Sequence, residues 1–173
     1  MAKVINQTLT ADLQCGLDLS HVTNNCTNIV LTEGRFNRCI KKSKHSTLLI
    51  YASGKIVCLG AKTFNEGRTS IRCFARRLQN IGYKVKLRKI ETANIVAQNK
   101  LINSVDLYDI QDLKGCTYVK EIFPNLRYTS SNNPKHKVIL SWNGNYILTG
   151  VKDTKELIAL ETEFIEKIKN GSQ

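Results

Sequence analysis

Between residues 48 and 62, apolar side chains alternate with polar or small ones, which is the period of half-buried β-strands. Gly54 lies at the centre of this stretch, after a serine and before a lysine, and predicts the turn of a hairpin. A similar alternation returns at residues 138–152, where Gly144 takes the place of Gly54. The sequence therefore predicts two copies of one hairpin.

An amphipathic helix is predicted after each hairpin. Thr63 and Glu66 have the spacing of a capping box, and Gly82 supplies a C-terminal stop. Asp153 and Glu156 begin the corresponding helix of the second half. Apolar residues recur at helical intervals in both: Ile71, Phe74, Leu78 and Ile81 in the first helix, and Leu157, Leu160, Phe164 and Ile168 in the second.

Shorter elements also occur twice. Residues 4–15 predict a strand, and Ser20 is a suitable N-cap for a short helix whose counterpart is residues 105–115. Residues 83–90 alternate apolar and basic side chains and predict a strand that closes the first half.

A basic strand with Phe36 near its start precedes the first hairpin, and a strand with Phe123 precedes the second. We therefore predict an α+β fold of two pseudo-symmetric repeats, residues 1–90 and 91–173. Antiparallel strands with helices on one face leave the other face free for binding. The alternative is a coincidental likeness between two α+β segments.

The charge is strongly basic and unevenly distributed. The chain of 173 residues has a net charge of +12. Residues 1–90 hold 16 basic and 4 acidic side chains, whereas residues 91–173 hold 10 of each. This balance is typical of a protein with a polyanionic partner, most often nucleic acid, but charge alone is equally compatible with a basic surface kept for solubility.

Catalysis is not expected. The six cysteines show no metal-ligand spacing and favour a reduced protein without disulfides or zinc. His21, His45 and His136 have no acidic or cysteine neighbours at useful spacing, and no phosphate-binding loop motif occurs. We expect no cofactor, no metal and no small-molecule substrate, and neither a signal peptide nor a membrane span.

Five segments together resemble the TATA-box-binding protein family. They are ASGKIVCLGAK (52–62), FARRLQNIGYKVKL (74–87), ETANIVAQNKL (91–101), EIFPNLRY (121–128) and ILTGVK (147–152). The resemblance covers nearly the whole chain and implies a divergent member, cellular or viral. It implies a saddle: a curved antiparallel sheet with helices on the convex face and an underside that binds the DNA minor groove.

The resemblance also implies aromatic wedges inserted between base steps. Phe36 and Phe123 match the two stirrup wedges, and Tyr51 matches the second wedge of the first repeat. The fourth position holds Ser141, with Trp142 one residue later, and one residue along a strand means the opposite face. Either a bulge turns Trp142 round, or Trp142 packs under the helices and this end lacks a wedge.

Further DNA contacts are implied residue by residue. Asn6, Asn94 and Thr149 match base-contacting positions, while Leu59 replaces the threonine that would match Thr149. The apolar floor would consist of Thr8, Leu49, Val57, Val96, Ile139 and Ile147. Phosphate contacts would come from Arg35, Arg38, Ser53 and Lys55, whose second-repeat counterparts Asn143 and Asn145 are uncharged.

Protein partners are implied for the convex face. An acidic, factor IIA-like protein would bind the arginines of the first long helix, which are Arg68, Arg72, Arg76 and Arg77. The alternative is that these arginines are simply solvated. Glu121 and Ile122 match part of the docking site for transcription factor IIB.

The sequence therefore predicts a sequence-preferring, minor-groove DNA-binding and DNA-bending factor. It would nucleate transcription initiation with the polymerase machinery at AT-rich promoters, in the nucleus or, for a viral protein, in a cytoplasmic factory or virion. The alternative, favoured by Ser141 and Leu59, is an adaptor or decoy that binds general transcription factors without bending DNA.

Overall fold

The structure, a computed structural model, describes residues 1–34 and 37–171. The first half contains β1 (Lys3–Asp12), α1 (Leu19–Asn25), β2 (Ile29–Thr32), β3 (Arg38–Lys42), β4 (Thr47–Tyr51), β5 (Lys55–Ala61) and α2 (Phe64–Asn80). The second half contains β6 (Glu91–Lys100), β7 (Cys116–Val119), β8 (Phe123–Thr129), β9 (Lys137–Leu140), β10 (Asn145–Val151) and α3 (Thr154–Gly171).

The chain divides into two compact units. The first unit is residues 6–93, and the second unit is residues 1–5 together with 94–173. Neighbouring strands are antiparallel in both, in the order β2-β3-β4-β5-β1 in the first unit and β7-β8-β9-β10-β6 in the second. The two orders are equivalent, so the predicted α+β fold of two repeats is confirmed. The predicted repeat boundary at residues 90 and 91 stays a prediction.

The core of each unit lies between its sheet and its long helix. In the first unit, Leu48 and Ile50 of β4 are buried in one cluster with Phe74 of α2. In the second unit, the rings of Tyr128 and Tyr146 lie 5.6 and 5.4 Å from that of Phe164. Of the eight residues predicted for the apolar faces of the two long helices, seven are buried and Ile81 is partly buried.

Capping fixes where the long helices begin. Thr63 accepts a hydrogen bond from the Glu66 amide at 3.2 Å, while the Glu66 carboxylate accepts one from the Thr63 amide. This reciprocal pair is the predicted capping box. Asp153 accepts from the Glu156 amide at 2.8 Å and performs the same task for α3.

Both hairpin turns are built alike. Gly54 and Gly144 have φ of +83° and +81°, a left-handed conformation that a side chain disfavours. The Gly54 amide donates to the Tyr51 carbonyl at 2.9 Å, and the Gly144 amide donates to that of Ser141 at 2.9 Å. Tyr51 and Ser141 therefore occupy the same position of the two turns.

The short helices depart from the prediction. Helix α1 is capped by Asp18, not by Ser20, because the Asp18 carboxylate accepts from the amides of Ser20 and His21. Its expected counterpart, residues 105–115, forms consecutive turns instead of a helix. Leucine and isoleucine side chains recur there every three residues and match the tighter three-residue turn: Leu107, Ile110 and Leu113.

Residues 83–90 do not form the predicted strand. The amides of Lys86 and Arg88 donate to the carbonyls of Leu13 and Asp12 at 3.0 and 2.9 Å, close to the end of β1. These two bonds are too few for a strand ladder. Strand β1 itself ends at Asp12, before the predicted end at Cys15.

Glu163 of α3 ties the loop after β8 to the helix. Its carboxylate accepts hydrogen bonds from the side chains of Tyr128 (2.7 Å) and Ser130 (2.6 Å) and from the Ser131 amide (3.0 Å). Burial alone would raise the pKa of Glu163, but these bonds outweigh it and lower the pKa to about 2.

We expect Glu163→Gln to lower the free energy of unfolding by about 2 kcal/mol at neutral pH, because charged acceptors are lost. The unfolded carboxyl has a pKa of about 4.3, so its contribution is present above that pH and is lost as the pH falls towards 2. Urea unfolding should therefore show the difference from wild type shrinking below about pH 4. The exposed Glu166→Gln is the control, and a difference independent of pH would contradict the assignment.

Candidate nucleic-acid interface

In each unit the strand side chains turned away from the buried cluster keep some exposure to solvent, and we call this side the open face. In the first unit it carries Thr8, Thr10, Arg38, Ile40, Leu49, Tyr51, Val57 and Leu59. In the second it carries Val96, Gln98, Phe123, Asn125, Arg127, Ile139, Ser141, Ile147 and Thr149. The six residues predicted for the apolar floor all lie on the open faces.

Asn6 supports a bulge between β1 and β5. The strand register shifts between Gln7 and Leu9, and Gly60 takes a φ of +84° there, as in a glycine bulge. The Gly60 amide donates to Asn6 Oδ1 at 2.9 Å. Because an amide N–H requires an acceptor, this bond fixes the orientation of the side chain. Asn6 Nδ2 is left as a donor with no hydrogen-bond partner among the described residues.

Asn94 repeats this arrangement in the second unit. The register of β10 against β6 shifts between Leu148 and Val151, and the Gly150 amide donates to Asn94 Oδ1 at 2.8 Å. Asn94 Nδ2 donates to Thr149 Oγ1 at 3.2 Å. The sequence predicted both asparagines as a matched pair but did not predict that each uses its oxygen to hold a bulge.

The predicted wedge residues Tyr51 and Phe123 differ in their surroundings. Tyr51 lies on the open face beside Arg38, its cross-strand partner in β3. Phe123 is half-buried, and the Arg127 guanidinium lies 4.4 Å from the centre of its ring. Phe36 and Arg35 lie outside the described residues.

The fourth wedge position corrects one sequence hypothesis. Trp142 does not pack under the helices, because it lies in the β9–β10 turn with 68% of its surface exposed. Its carbonyl accepts a hydrogen bond from the Val105 amide at 3.0 Å. The turn leaves Ser141, not Trp142, at the position of Tyr51, so this wedge position holds a hydroxyl.

The predicted phosphate-binding residues differ in exposure. Lys55 and Ser53 are exposed, and no ion pair joins Lys55 to any described residue. Arg38 is half-buried, and its Nε is buried without a hydrogen-bond partner in the described chain. Lys55 lines a groove beside β1 with two further cations, Arg88 and Lys89, which the sequence analysis did not select.

The predicted partner-binding residues lie on surfaces away from the open faces. Arg72, Arg76 and Arg77 are exposed on α2, and Arg68 is half-buried. Arg68 and Arg72 line a groove with the cations of the 83–90 segment. Glu121 and Ile122 lie in the β7–β8 turn, where 79% of Ile122 is exposed.

One histidine does have an acidic neighbour. His136 Nε2 lies 3.6 Å from Glu156 Oε2, although the sequence analysis expected no such partner. The two residues are 20 positions apart, a separation at which sequence spacing gives no signal. Across residues 1–34 and 37–171, no group of three potential ligands could hold a metal ion. All six cysteines are free.

Five open-face residues were missed, namely Thr10 and Ile40 in the first unit and three in the second. Asn125 and Arg127 follow Phe123 at two-residue intervals in β8, and Gln98 follows Asn94 in β6 in the same way. Strand periodicity from the predicted wedge and the predicted asparagine could have found them.

These features define a two-repeat α+β protein whose sheets present amide groups among apolar side chains on their open faces. The family profile described as transcription factor TFIID, or TATA-binding protein, matches residues 1–81 and 89–170. The chain therefore belongs to the TATA-binding protein family, which places it among DNA-binding transcription factors.

Individual relatives agree. The TATA-box-binding protein of Acetabularia peniculus is 30% identical over 156 residues, 88% of this chain and 81% of that protein. The TATA box-binding protein-like 2 of Rattus norvegicus is 31% identical over 88% of this chain, but the match spans only 45% of the rat protein. The Methanococcus jannaschii TBP structure superposes with a TM-score of 0.88 at 26% identity, covering 98% of each chain. The predicted family fold is confirmed.

No described helix is both long and apolar enough to cross a membrane.

Proposed function

We propose that this protein binds the minor groove of AT-rich duplex DNA, bends it, and thereby nucleates transcription initiation. The observation that carries the proposal is the matched pair Asn6 and Asn94. In each unit a bulge amide donates to the asparagine oxygen, which leaves Nδ2 as the donor; in the second unit one of the two Nδ2 hydrogens is already donated to Thr149 Oγ1, and the other is left. The minor-groove edge of an A·T pair presents only acceptors, so a fixed donor among apolar side chains suits it.

The open faces supply the remaining contacts. Residues predicted for the floor are apolar apart from Thr8, and they can lie against sugars and base edges without leaving buried polar groups unpaired. Tyr51 and Phe123 would insert between base steps and kink the duplex. Thr149, already bonded to Asn94, would add a second polar contact in the second unit only, since Leu59 takes its place in the first.

The distribution of charge also supports DNA as the partner, and it suggests that the first unit makes more phosphate contacts than the second. The net charge of +12 arises entirely in residues 1–90, where the exposed Lys55 lies at the start of β5. The second unit has Asn145 at the start of β10 instead. Phosphate contacts contribute affinity and salt dependence rather than sequence information.

End-labelled AT-rich duplex provides the test. Binding should raise energy transfer between the two labels as the ends approach, and a GC-rich duplex of equal length should bind much more weakly. Binding of both duplexes with equal affinity and no change in end-to-end distance would contradict the proposal.

Lys55→Ala should weaken DNA binding at low salt and reduce the slope of log K against log salt by roughly one unit, since one phosphate contact is lost. A titration series over several salt concentrations measures the slope. Lys155→Ala, an exposed lysine on α3, is the matched control and should leave it unchanged. A slope equal to wild type in Lys55→Ala would remove Lys55 from the phosphate-binding residues.

We propose protein partners for two further surfaces. Arg68 and Arg72 line the groove beside α2 together with Phe64 and four residues of the 83–90 segment, two of them basic. This mixture suits an acidic segment with apolar side chains, such as a factor IIA-like protein. The exposed Glu121 and Ile122 suit a factor IIB-like protein. A transcription factor of this kind would act in the nucleus, or in a viral factory if a virus encodes it.

A second candidate function is an adaptor that binds general transcription factors without bending DNA. The exposed apolar side chains of Ile122 and Val119, with Ser141 at a wedge position, favour it. Retained binding of initiation factors without any DNA bend would distinguish it from the first candidate. We propose no enzymatic activity for either.

A further inference from the structure

Four equivalent positions, three on the open faces and one at the start of the strand after the hairpin turn, differ in side-chain chemistry between the two units. The first unit holds Thr10, Arg38, Tyr51 and Lys55. The second unit holds Gln98, Asn125, Ser141 and Asn145. A set containing two cations and an aromatic ring is thus replaced by three amides and a hydroxyl.

Strand geometry establishes the equivalence. Tyr51 and Ser141 both accept the hydrogen bond of the turn glycine. Arg38 is the cross-strand partner of Tyr51, and the pairing of Leu126 with Leu140 makes Asn125 the neighbour of Ser141. Lys55 and Asn145 begin β5 and β10, and Thr10 and Gln98 each follow the bulge asparagine by four residues.

The four second-unit side chains line one groove of about 480 Å³, together with Lys3 and Lys100, and its floor includes Ile139 and Ile147. None of the four takes part in a side-chain hydrogen bond within the described chain. Their oxygen and nitrogen atoms are therefore available to a ligand. The first unit has no comparable set, because two of the matching side chains carry donors only.

Base edges in the minor groove differ in one respect that such a set can detect. A·T pairs show only acceptors, whereas a G·C pair adds the 2-amino donor of guanine. An apolar floor would bury this amino group unpaired, which is unfavourable. Amide and hydroxyl oxygens can accept its hydrogen bond.

We propose that the groove formed by Gln98, Asn125, Ser141 and Asn145 accepts the guanine 2-amino group of a G·C base pair. The inference rests on the proposed minor-groove binding. The second unit then tolerates G·C where the first requires A·T, so the protein reads an asymmetric site and binds it in one orientation.

The test uses duplexes of an A·T-only site in which one G·C pair is moved stepwise from end to end, with affinity measured at fixed salt. At one end, G·C should change Kd by less than roughly threefold, and at the other it should weaken binding roughly tenfold or more. An inosine·C pair, which lacks the amino group, should bind more weakly than G·C at the tolerant end.

Variants identify the residues and the end involved. Asn125→Ala and Ser141→Phe should each lower the affinity for the duplex with G·C at that same end, relative to the affinity of the same variant for the A·T-only duplex, by roughly tenfold. Asn103→Ala, an exposed amide outside this groove, should leave the pattern unchanged. Ser141→Phe places a ring where Tyr51 already stands in the other turn, so the fold should accept it.

The outcomes separate the two proposals. A protein that binds none of the duplexes overturns minor-groove binding itself. A protein that binds the A·T-only site but rejects G·C equally at both ends overturns the asymmetric reading alone. Equal affinity for inosine·C and G·C at the tolerant end also overturns it, because the amino group is then not recognised.

Discussion

Gly150→Ala should lower the free energy of unfolding by about 4 kcal/mol, one of the largest effects expected of a single methyl group here. Gly150 has a φ of +90°, and a Cβ on it would lie 1.8 Å from the Lys135 carbonyl oxygen and 2.7 Å from the Lys135 carbonyl carbon. The obstacle is backbone, so no side chain can rotate away. Urea unfolding followed by far-UV circular dichroism measures the loss.

Gly82 provides a matched control that separates the steric overlap of an added Cβ from the strain of a left-handed backbone conformation. Its φ is +100°, also left-handed, but a Cβ there meets no atom within 4 Å. Gly82→Ala should therefore cost only about 1 kcal/mol, the penalty of a side chain in this conformation. Equal losses in the two variants would mean that the Lys135 loop moves aside, contrary to expectation.

The Lys135 loop is held in place, which is why the effect should be large. Ser130 and Ser131 bond to Glu163, and the His136 amide donates to the Asn133 carbonyl at 2.9 Å. The same bulge places Asn94, whose oxygen bonds the Gly150 amide. Gly150→Ala should therefore weaken DNA binding by more than its effect on the folded fraction explains.

Much of the fold followed from the sequence because its strongest signals are local. Alternation predicted both hairpins, and the capping box at Thr63 predicted the start of α2. The failures have physical reasons. In residues 105–115 the apolar side chains recur every three residues, from Leu107 onward, and the segment forms turns instead of a helix. Residues 83–90 make only two backbone hydrogen bonds to the end of β1, at Leu13 and Asp12, which are too few for a strand.

The sequence predicted the site residues that occur at matching positions in both repeats. It did not predict the contacts that depend on how strands and turns pack in three dimensions. Asn6 and Asn94 could be matched from their positions, but their bonds to the bulge glycines depend on strand register. Trp142 is exposed because it lies in the β9–β10 turn. Its position one residue after Ser141 did not predict this exposure. Phe123 and Arg127 lie on the same face of β8, four residues apart, and the long arginine side chain reaches back to the ring.

Tyr51→Ala combined with Phe123→Ala should weaken binding to AT-rich DNA roughly 100-fold and abolish most of the bend. Each stacked aromatic side chain contributes about 1–3 kcal/mol, and 2.7 kcal/mol corresponds to two powers of ten in Kd. The double variant removes both described wedges, one from each unit. Energy transfer across an end-labelled duplex measures affinity and bend in one titration.

Exposed aromatic side chains elsewhere supply the control. Phe64 and Tyr108 are 37% and 52% exposed and lie outside the open faces, so Phe64→Ala with Tyr108→Ala should keep both affinity and bend. Phe123→Leu tests whether the wedge needs an aromatic ring or only an apolar side chain of similar size. Leucine can still insert between base steps, but it offers no aromatic ring to the Arg127 guanidinium.

The two single variants should not be equal. The first unit has Tyr51 and Lys55 in its hairpin, whereas the second has Ser141 and Asn145 at the equivalent positions and would therefore rely on one ring, Phe123, for its kink. Phe123→Ala should remove the bend at its end entirely, while Tyr51→Ala should reduce the bend at the other end only in part, since the family resemblance implies Phe36 as a second wedge of the first repeat. Equal losses from both singles would contradict the unequal division of wedges, and an unchanged bend in the double variant would contradict the wedge assignment itself.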